Sequence, residues 1–309
     1  MSKPEVISLY KLFERFPDEE SARLYFEEKR WAGKTTCGHC GSEEIAECKN
    51  HKPMPYRCKS CRKHFSVRTG TVLAESRLPL KKWVMAMYML TTARKGISSV
   101  QMAEQLGVTQ KTAWFLSQRI RECWMGKDGN KDNDSNSTVE VDETFIGGKE
   151  RNKHNNKKTK AGRGSVGKTA VIGMRNRNGA VVAQPIKNTK GYTLKGFINS
   201  NVQHGATVVT DAFTGYKGLN NYNHYTVNHS AGEYVRGQAH TNGIESFWAL
   251  LKRGHYGIYH YMSTKHLHRY VNEFSYRHNT REYGTMDFIS STIERAVGKR
   301  LTYKDLING

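Results

Sequence analysis

The first 125 residues alternate between helical and irregular patterns of apolar positions. Apolar residues at helical spacing fill residues 7–30, where Pro17 breaks the run and Asp18 can cap a second helix. This period disappears over residues 31–78, which are rich in Cys, Gly, Lys and His, and returns over residues 79–125 in three apolar stripes. We therefore expect a helical lead-in (1–30), a small irregular module (31–78) and a module of three helices (79–125).

The remainder of the chain is dominated by strand patterns. A polar, Gly-rich tract over residues 126–138 is typical of a linker. Beyond it, short runs of β-branched residues predict five strands, and Asn178-Gly179 suits a two-residue type I′ turn between the second and third. The predicted order is β-β-β-α-β-(α)-β-α. We expect an α/β domain with a mixed five-stranded sheet over residues 139–290 and a tail over residues 291–309, so the fold class is multidomain α+β.

The charge of the chain indicates a polyanionic partner. Lys and Arg outnumber Asp and Glu by 49 to 28, which gives a formal net charge of +21. A ribosome-like or merely soluble basic protein would show the same excess, so composition alone does not separate these classes. The chain also lacks an apolar run long enough to span a bilayer and a signal-peptide core at its start, so we expect a cytoplasmic protein with no membrane partner.

Two C-x-x-C pairs predict a structural zinc site. Cys37 and Cys40 precede Cys58 and Cys61 with seventeen residues between the pairs, a spacing typical of a zinc ribbon. Four thiolates complete a tetrahedral site and leave zinc no open position. A redox role for the pairs is the alternative. Six basic residues are expected to give this module a basic surface that contacts phosphates or is only solvated: Lys52, Arg57, Lys59, Arg62, Lys63 and Arg68.

Residues 97–122 have the pattern of a helix-turn-helix. One helix ends at Gly107, and a second can begin after a Thr109 cap. Gln110, Lys111 and Thr112 would then lie at the exposed start of the second helix, where base edges are contacted in a major groove. A helical pair that does not touch DNA is the alternative interpretation.

Residues 162–169 match the Walker pattern G-x-x-x-x-G-K-[ST] letter for letter. A phosphate loop must leave a strand and open a helix, whereas this segment follows a basic polar run and precedes a strand pattern. We therefore expect no ATP binding. The surrounding segment 149–168 holds eight Lys or Arg against one Glu, so a contact with the DNA backbone through residues such as Lys157 and Lys158 is expected, with a solvated hairpin tip as the alternative.

Three carboxylates are the candidate catalytic residues. Asp142 follows an alternating strand pattern, Asp211 ends the strand pattern TVVTD, and Glu245 lies in a helical pattern seven residues before Lys252. Two carboxylates on adjacent strands and a third on a nearby helix can hold two hard cations, Mg²⁺ or Mn²⁺, for in-line displacement at phosphorus. Each Asp taken singly is equally typical of a turn cap.

These motifs together resemble a family. In their order, CGHC, CKSC, TGTVLAESRLPLKKW, VDETFIGGKE, VVTDAFTGY and HTNGIESFWALLKRG are similar to bacterial insertion-sequence transposases of the DDE type with an N-terminal zinc ribbon, relatives of the Merlin transposons. The resemblance implies a ribonuclease-H-like catalytic domain with Asp142, Asp211 and Glu245 as magnesium ligands. It implies basic residues near the DNA at Lys252 and its neighbour Arg253. Some family members use Asn as the third ligand, and Asn242 lies one turn before Glu245.

The resemblance implies a bacterial, nucleoid-associated enzyme that binds the terminal inverted repeats of its element and cuts and rejoins them. Because two ends are processed together, a homodimer or higher oligomer on double-stranded DNA is expected. A nuclease or resolvase on the same fold and a non-catalytic DNA-binding regulator are the alternatives.

Overall fold

The computed structural model of the chain describes residues 4–48, 50–126, 134–148, 152, 154–158, 164–227 and 240–308. It divides into two compact units. The discontinuous unit comprises residues 1–125 and 282–309, and the sheet unit comprises residues 126–281. Among the described residues, no helix has the length and apolar character that crossing a membrane requires.

The discontinuous unit contains the helices expected near the N-terminus. Its elements are α1 (Leu9–Arg15), α2 (Glu19–Trp31), β1 (Ile45–Glu47), β2 (Tyr56–Cys58), β3 (His64–Phe65), α3 (Leu80–Thr92), α4 (Ser99–Leu106), α5 (Gln110–Cys123), α9 (Thr285–Glu294) and α10 (Tyr303–Asn308). The predicted Asp18 cap is present, since its carboxylate accepts a hydrogen bond from the Ser21 backbone N–H at 2.8 Å.

The lead-in and the Cys-rich module share a core. The indole of Trp31, the last residue of α2, packs edge-on against Tyr56 of β2 and Phe65 of β3, with ring centroids 5.4 and 6.2 Å apart. Phe65 is fully buried. Because a module of three short antiparallel strands buries little surface by itself, this aromatic contact extends its core into α2.

The domain boundaries predicted near the C-terminus are wrong. The sheet unit ends at Arg281, and residues 282–309 belong to the discontinuous unit, where they form α9 and α10 in place of a tail. The indole N–H of Trp124 donates to the Thr292 hydroxyl at 3.0 Å, and the backbone N–H of Val72 donates to the Ala296 carbonyl. Local periodicity identifies an amphipathic helix but not the partner of its apolar face, so the sequence did not predict this return of the chain.

The sheet unit contains the mixed five-stranded sheet that the sequence predicts. Its elements are β4 (Thr138–Ile146), β5 (Thr169–Asn176), β6 (Val181–Ile186), α6 (Gly191–Asn201), β7 (Thr207–Asp211), β8 (Asn223–Val227), α7 (Asn242–Gly254) and α8 (Leu267–Asn279). The strand order is β6-β5-β4-β7-β8. β4 pairs antiparallel with β5 and parallel with β7, and β8 is parallel to β7. A π-helical turn, His255–Tyr259, follows α7.

Two local predictions in the sheet unit are wrong. The loop after β5 is a β-turn closed by the Gly179 N–H on the Asn176 carbonyl, and among residues 176–180 only Gly179 has a positive φ, of 90°. A type I′ turn needs positive φ at both central residues, so this is a three-residue loop with a glycine bulge. The second predicted helix, between β7 and β8, is only a 3₁₀ turn, Thr214–Tyr216.

The sheet buries both faces. Val139 and Val141 of β4 belong to a core cluster with Leu194 and Phe197 of α6 on one face. On the other face, Ile146 belongs to a second cluster with residues of α7 and α8. Because side chains alternate along a strand, the even-numbered residues of β4, including Asp142, face the side of α7 and α8.

The C-terminal segment also caps the helix expected to contact DNA. The Lys299 ammonium group donates to the carbonyl oxygens of Glu122, Cys123 and Met125 at the end of α5, at 3.1 Å for Glu122 and 2.7 Å for Cys123. Glu122 and Cys123 belong to the last turn of α5, where the carbonyl oxygens carry the negative end of the helix dipole.

Replacement of this lysine tests the role of the C-terminal segment. Lys299→Met removes a charged donor and is expected to lower the free energy of unfolding of the discontinuous unit by about 1.5–3 kcal/mol. Lys304→Met, at an exposed lysine of α10, is the matched control and should have little effect. Urea unfolding followed by tryptophan fluorescence measures this, since four of the five tryptophans lie in that unit. Equal stability of the two variants would contradict the account.

Candidate active site and zinc site

The four predicted zinc ligands converge. The Sγ atoms of Cys37 and Cys61 lie 3.7 Å apart, and those of Cys40 and Cys58 lie 3.6 Å apart. All four Sγ atoms lie within 4.8 Å of one another. A tetrahedron with zinc–sulfur bonds of about 2.3 Å has sulfur–sulfur edges of about 3.8 Å, whereas a disulfide requires about 2.05 Å. The distances therefore fit a closed, structural zinc site and exclude a disulfide.

Backbone amides support the thiolates. The N–H of His39 donates to Cys37 Sγ, and the N–H of Cys61 donates to Cys58 Sγ, at 3.4 and 3.5 Å. His39 belongs to no group of ligand atoms around the cysteines and instead contacts the carbonyl oxygen of His64.

The basic surface of this module is smaller than the sequence suggests. Lys52, Arg57, Lys59, Arg62 and Lys63 are exposed. Arg68 is half-buried, and its guanidinium donates to the carbonyl oxygens of Ser76 and Leu78 at 2.6 and 2.7 Å. Arg68 therefore closes a loop, and it is wrong to count it with the phosphate-facing residues.

The helix pair at residues 99–123 has the expected turn. Gly107 ends α4 in the left-handed conformation with φ 59°, and the Thr109 side chain caps α5. Gln110 and Lys111 are exposed at the start of α5, and Thr112 is half-buried beside them. Gln110 Nε2 donates to the Ser99 hydroxyl at 2.8 Å, so the first predicted base contact is braced against α4.

The tip of α5 also contacts the C-terminal helix. The Lys111 ammonium lies 4.6 Å from the ring centroid of Tyr303 in α10, and the Phe115 ring packs edge-on against the same tyrosine. Lys111 is thereby held by a cation–π contact while remaining exposed.

Much of the basic segment 149–168 lies outside the described residues. Lys157 ends a 3₁₀ turn, Asn155–Lys157, and the ammonium group of the half-buried Lys158 donates to Asn155 Oδ1 at 2.9 Å. The first two residues of the Walker-like motif are also outside, while its last residue, Thr169, begins strand β5. A strand, not the helix that a phosphate loop requires, therefore follows the motif.

Strand register brings the first two candidate carboxylates together. β4 and β7 pair in parallel as far as Glu140 and Val209, and the same register continued by two residues along each strand would place Asp142 level with Asp211. Residues at the same level of adjacent strands point to the same face. Both carboxylates are half-buried, and the Phe213 backbone N–H donates to Asp211 Oδ1 at 3.0 Å.

Electrostatics identify the carboxylates around Asp142. Burial, together with the nearby carboxylates of Glu143, Asp211 and Glu245, raises the pKa of Asp142 to about 7. Asp211 and Glu245 are therefore close enough to Asp142 for their charges to repel its carboxylate. Glu245 lies on the exposed side of α7 and accepts a hydrogen bond from the Thr241 hydroxyl at 3.0 Å, while Asn242 is exposed one turn earlier.

The carboxylate group fits hard divalent cations, although it is not closed. Among the described residues, only the four cysteines form a group of potential ligands that are all within 4.8 Å of one another. The carboxylate oxygens of Asp142, Asp211 and Glu245 are thus not all within 4.8 Å of one another. Two cations about 3.5–4 Å apart would need only the central carboxylate to reach both. Oxygen ligands select hard cations such as Mg²⁺ or Mn²⁺, and a cation bound here would relieve the repulsion between the carboxylates.

A buried ion cluster that the sequence did not predict fixes the start of α7. Glu140 is 1% exposed, and its carboxylate lies 3.6 Å from Arg175, 3.3 Å from Arg177 and 3.4 Å from His240. It also accepts the Ile244 backbone N–H at 2.9 Å, which satisfies a helix-terminal donor.

A second tie joins the same strand and helix. The Trp248 indole N–H donates to Asp142 Oδ2 at 3.0 Å. Two residues of a strand span about 6.6 Å, and four residues of a helix span about 6 Å. The distance from Glu140 to Asp142 along β4 therefore matches the distance from Ile244 to Trp248 along α7, so both hydrogen bonds can form at once. Glu245 lies between them.

Glu143 lies on the opposite face of the sheet, as its position next to Asp142 predicts. The buried Tyr216 hydroxyl donates to its carboxylate. Desolvation raises the pKa of Glu143.

The basic residues of α7 lie two turns beyond Glu245. Lys252 is half-buried and Arg253 is exposed, both in the last turn of the helix. They share a helix with Glu245, whereas Gln110, Lys111 and Thr112 belong to the discontinuous unit.

Loss of one thiolate tests the zinc site. Cys40→Ser is expected to reduce bound zinc from one ion per chain to nearly none and to unfold the Cys-rich module, because structural zinc contributes on the order of 10 kcal/mol to such modules. Cys48→Ser is the control, since Cys48 lies outside the cluster. Elemental analysis of the purified chains measures zinc content. Retention of zinc by Cys40→Ser, or its loss from Cys48→Ser, would exclude this ligand set.

Neutralising Asp142 should stabilise the metal-free protein. The pKa of Asp142 is about 7 in the folded protein and 3.8 in the unfolded chain. Ionisation of Asp142 therefore lowers the free energy of unfolding as the pH rises, with no loss below pH 3.8 and the full loss above pH 7. In Mg²⁺-free buffer, Asp142→Asn is expected to raise the thermal midpoint by about 2–4 °C per kcal/mol relieved, with a gain that grows from pH 5 to pH 8. Calorimetry of both proteins measures it, with Asp134→Asn at an exposed position as control. A gain independent of pH would refute the electrostatic explanation.

Comparisons with known proteins match both parts of the chain. Residues 135–279 match the family of the ISXO2-like transposase domain, and residues 17–64 match the transposase zinc-ribbon domain. An uncharacterized protein in transposable element ISH50 of Halobacterium salinarum is 28% identical over 251 residues, which cover 77% of this chain and 83% of that protein. The crystal structure of a pre-cleavage Mos1 transpososome aligns with 69% of this chain and 78% of its own at 11% identity, with a TM-score of 0.18.

The two matched ranges together span more than half of the chain and contain the thiolate cluster, Asp142 and Asp211, and Glu245. Their order, ribbon first and transposase domain second, is the order that the sequence motifs predict. The chain belongs to the insertion-sequence transposases that carry an N-terminal zinc ribbon.

Proposed function

We propose that this transposase binds the terminal inverted repeats of its element and catalyses DNA cleavage and strand transfer at Asp142, Asp211 and Glu245. The observation that carries the proposal is the strand register, which supports a pair of aspartates level with each other on one face of the sheet. Glu245 joins them from a helix tied to the same strand at two points.

The chain's own residues orient the reacting groups. Asp142, whose charge is influenced by both other carboxylates, is the central ligand, and Asp211 and Glu245 are the outer two. The Thr241 hydroxyl and the Trp248 indole N–H hold Glu245 and Asp142. Mg²⁺ or Mn²⁺ bound by these carboxylates would lower the pKa of an attacking water or 3′-hydroxyl and stabilise the leaving oxygen.

The basic residues beside the site would hold the DNA strand. Glu245 lies in the first turn of α7, and Lys252 and Arg253 lie in its last turn. From there their charges can neutralise phosphates flanking the scissile bond. Lys157 and Lys158 extend the same role to the segment after β4.

The discontinuous unit would recognise the element's ends. Gln110 and Lys111 are exposed at the tip of α5, and Thr112 is half-buried beside them, an arrangement that suits contact with base edges in a major groove. The exposed lysines and arginines of the ribbon suit phosphate contacts. A dimer or larger assembly follows from the need to process two ends together.

Cleavage of a labelled DNA that carries the element's own ends tests the proposal. The wild type is expected to nick the 3′ ends with Mg²⁺ and to join them to a target DNA. Asp211→Ala should bind the ends normally and lose at least about 10³-fold in cleavage rate, since metal assistance contributes several kcal/mol. Asp134→Ala, at an exposed carboxylate of the same unit, should retain the wild-type rate.

Two outcomes would contradict the proposal in different ways. Cleavage without joining, on paired ends and with target present, would indicate a nuclease. Undiminished cleavage by Asp211→Ala would remove the carboxylates from the mechanism.

A further inference from the structure

The side chain of Trp248 occupies a slot in the sheet beside Asp142. Asp142 of β4 is paired with Gly173 of β5, and Gly173 with Ala183 of β6. A Cβ atom on residue 173 would lie 2.6 Å from Cη2 and 2.8 Å from Cζ2 of the Trp248 ring. The ring therefore covers the position where any other residue would carry its side chain, and only glycine admits it.

The slot fixes the direction of the indole N–H. Trp248 is 3% exposed and packs in the core cluster shared by the sheet, α7 and α8. A buried indole N–H requires an acceptor, and Asp142 Oδ2 at 3.0 Å supplies it. The hydrogen bond thus restrains a half-buried carboxylate that has carboxylate neighbours on its own face of the sheet.

We propose that Trp248 is a positioning residue that presets the Asp142 carboxylate for a divalent cation, and that Gly173 is required because it admits the indole. This inference rests on the proposed function and adds two residues that the strand and helix patterns did not predict. Hydrogen-bond partners of metal ligands typically change metal affinity by about 10–100-fold when replaced.

Phe247 provides a matched control on the same helix. Its ring is 1% exposed and belongs to the same core cluster as Trp248. Because phenylalanine has no polar hydrogen, its replacement removes packing against the Trp248 ring, whose centroid is 5.2 Å away, but removes no hydrogen bond of Asp142. A purely structural role for Trp248 would make the two positions equivalent.

Calorimetric titration of the full chain with Mn²⁺ tests the inference directly. Trp248→Phe and Gly173→Ala are expected to weaken Mn²⁺ binding by about 10–100-fold. Gly173→Ala retains the indole but displaces it from its slot, so both changes should act alike. Phe247→Leu should bind Mn²⁺ as the wild type does, even if its thermal midpoint falls.

A second measurement follows the indole in otherwise unaltered protein, and a variant serves only to assign its resonance. With 5-fluorotryptophan incorporated, the five tryptophans give separate ¹⁹F resonances, and Trp248 is the only tryptophan in the sheet unit's sequence. Added Mg²⁺ is expected to shift the Trp248 resonance and to leave the other four in place. The Trp248 resonance is assigned by its displacement in Gly173→Ala.

The contrary results are distinct. Wild-type Mn²⁺ affinity in both Trp248→Phe and Gly173→Ala, or a Trp248 resonance that Mg²⁺ leaves unmoved at saturation, would overturn the positioning role while leaving the metal site intact. Undiminished Mn²⁺ binding by Asp142→Asn would instead overturn the proposed metal site, and this inference with it.

Discussion

The arrangement of the sheet unit depends on how β4 is joined to α7. One face of β4 presents Glu140 and Asp142, and each makes a hydrogen bond to α7, at the Ile244 backbone N–H and the Trp248 indole. Because the two ties are in step, the helix cannot slide along the strand without breaking both. The position of Glu245 relative to Asp142 is therefore set by the same contacts that bury the helix.

This arrangement has an electrostatic cost that the fold offsets only in part. Glu140 is buried but is surrounded by two arginines and His240, so its charge is compensated within the protein. Asp142, two residues later, has carboxylates for neighbours, and burial raises its pKa. One strand thus carries a carboxylate whose charge is compensated by cationic neighbours and one whose charged neighbours are carboxylates, an environment that suits a cation. Sites of perturbed charge of this kind are typical of functional centres.

Much of the architecture could be predicted from local patterns. Some features depend on only a few neighbouring residues and could be predicted from the sequence alone: the C-x-x-C pairs, the Asp18 and Thr109 caps and the strands with β-branched runs. The partners of Glu140 could not be predicted, because Arg175 lies on β5, Arg177 lies in the turn after it, and alternation alone suggests an exposed side chain. No sequence pattern around Gly173 distinguishes a glycine that makes room for an indole from a glycine that merely weakens a strand. The return of α9 and α10 to the N-terminal unit likewise depends on tertiary contacts between distant segments.

The central claim is that Asp142, Asp211 and Glu245 bind divalent cations for phosphoryl transfer. Anomalous diffraction at the manganese edge from Mn²⁺-soaked crystals of the protein with its end DNA tests it most directly. The account predicts two peaks about 3.5–4 Å apart that share Asp142 as a ligand, with Asp211 and Glu245 on opposite sides. Manganese bound elsewhere, with no peak between Asp142 and Asp211, would contradict it.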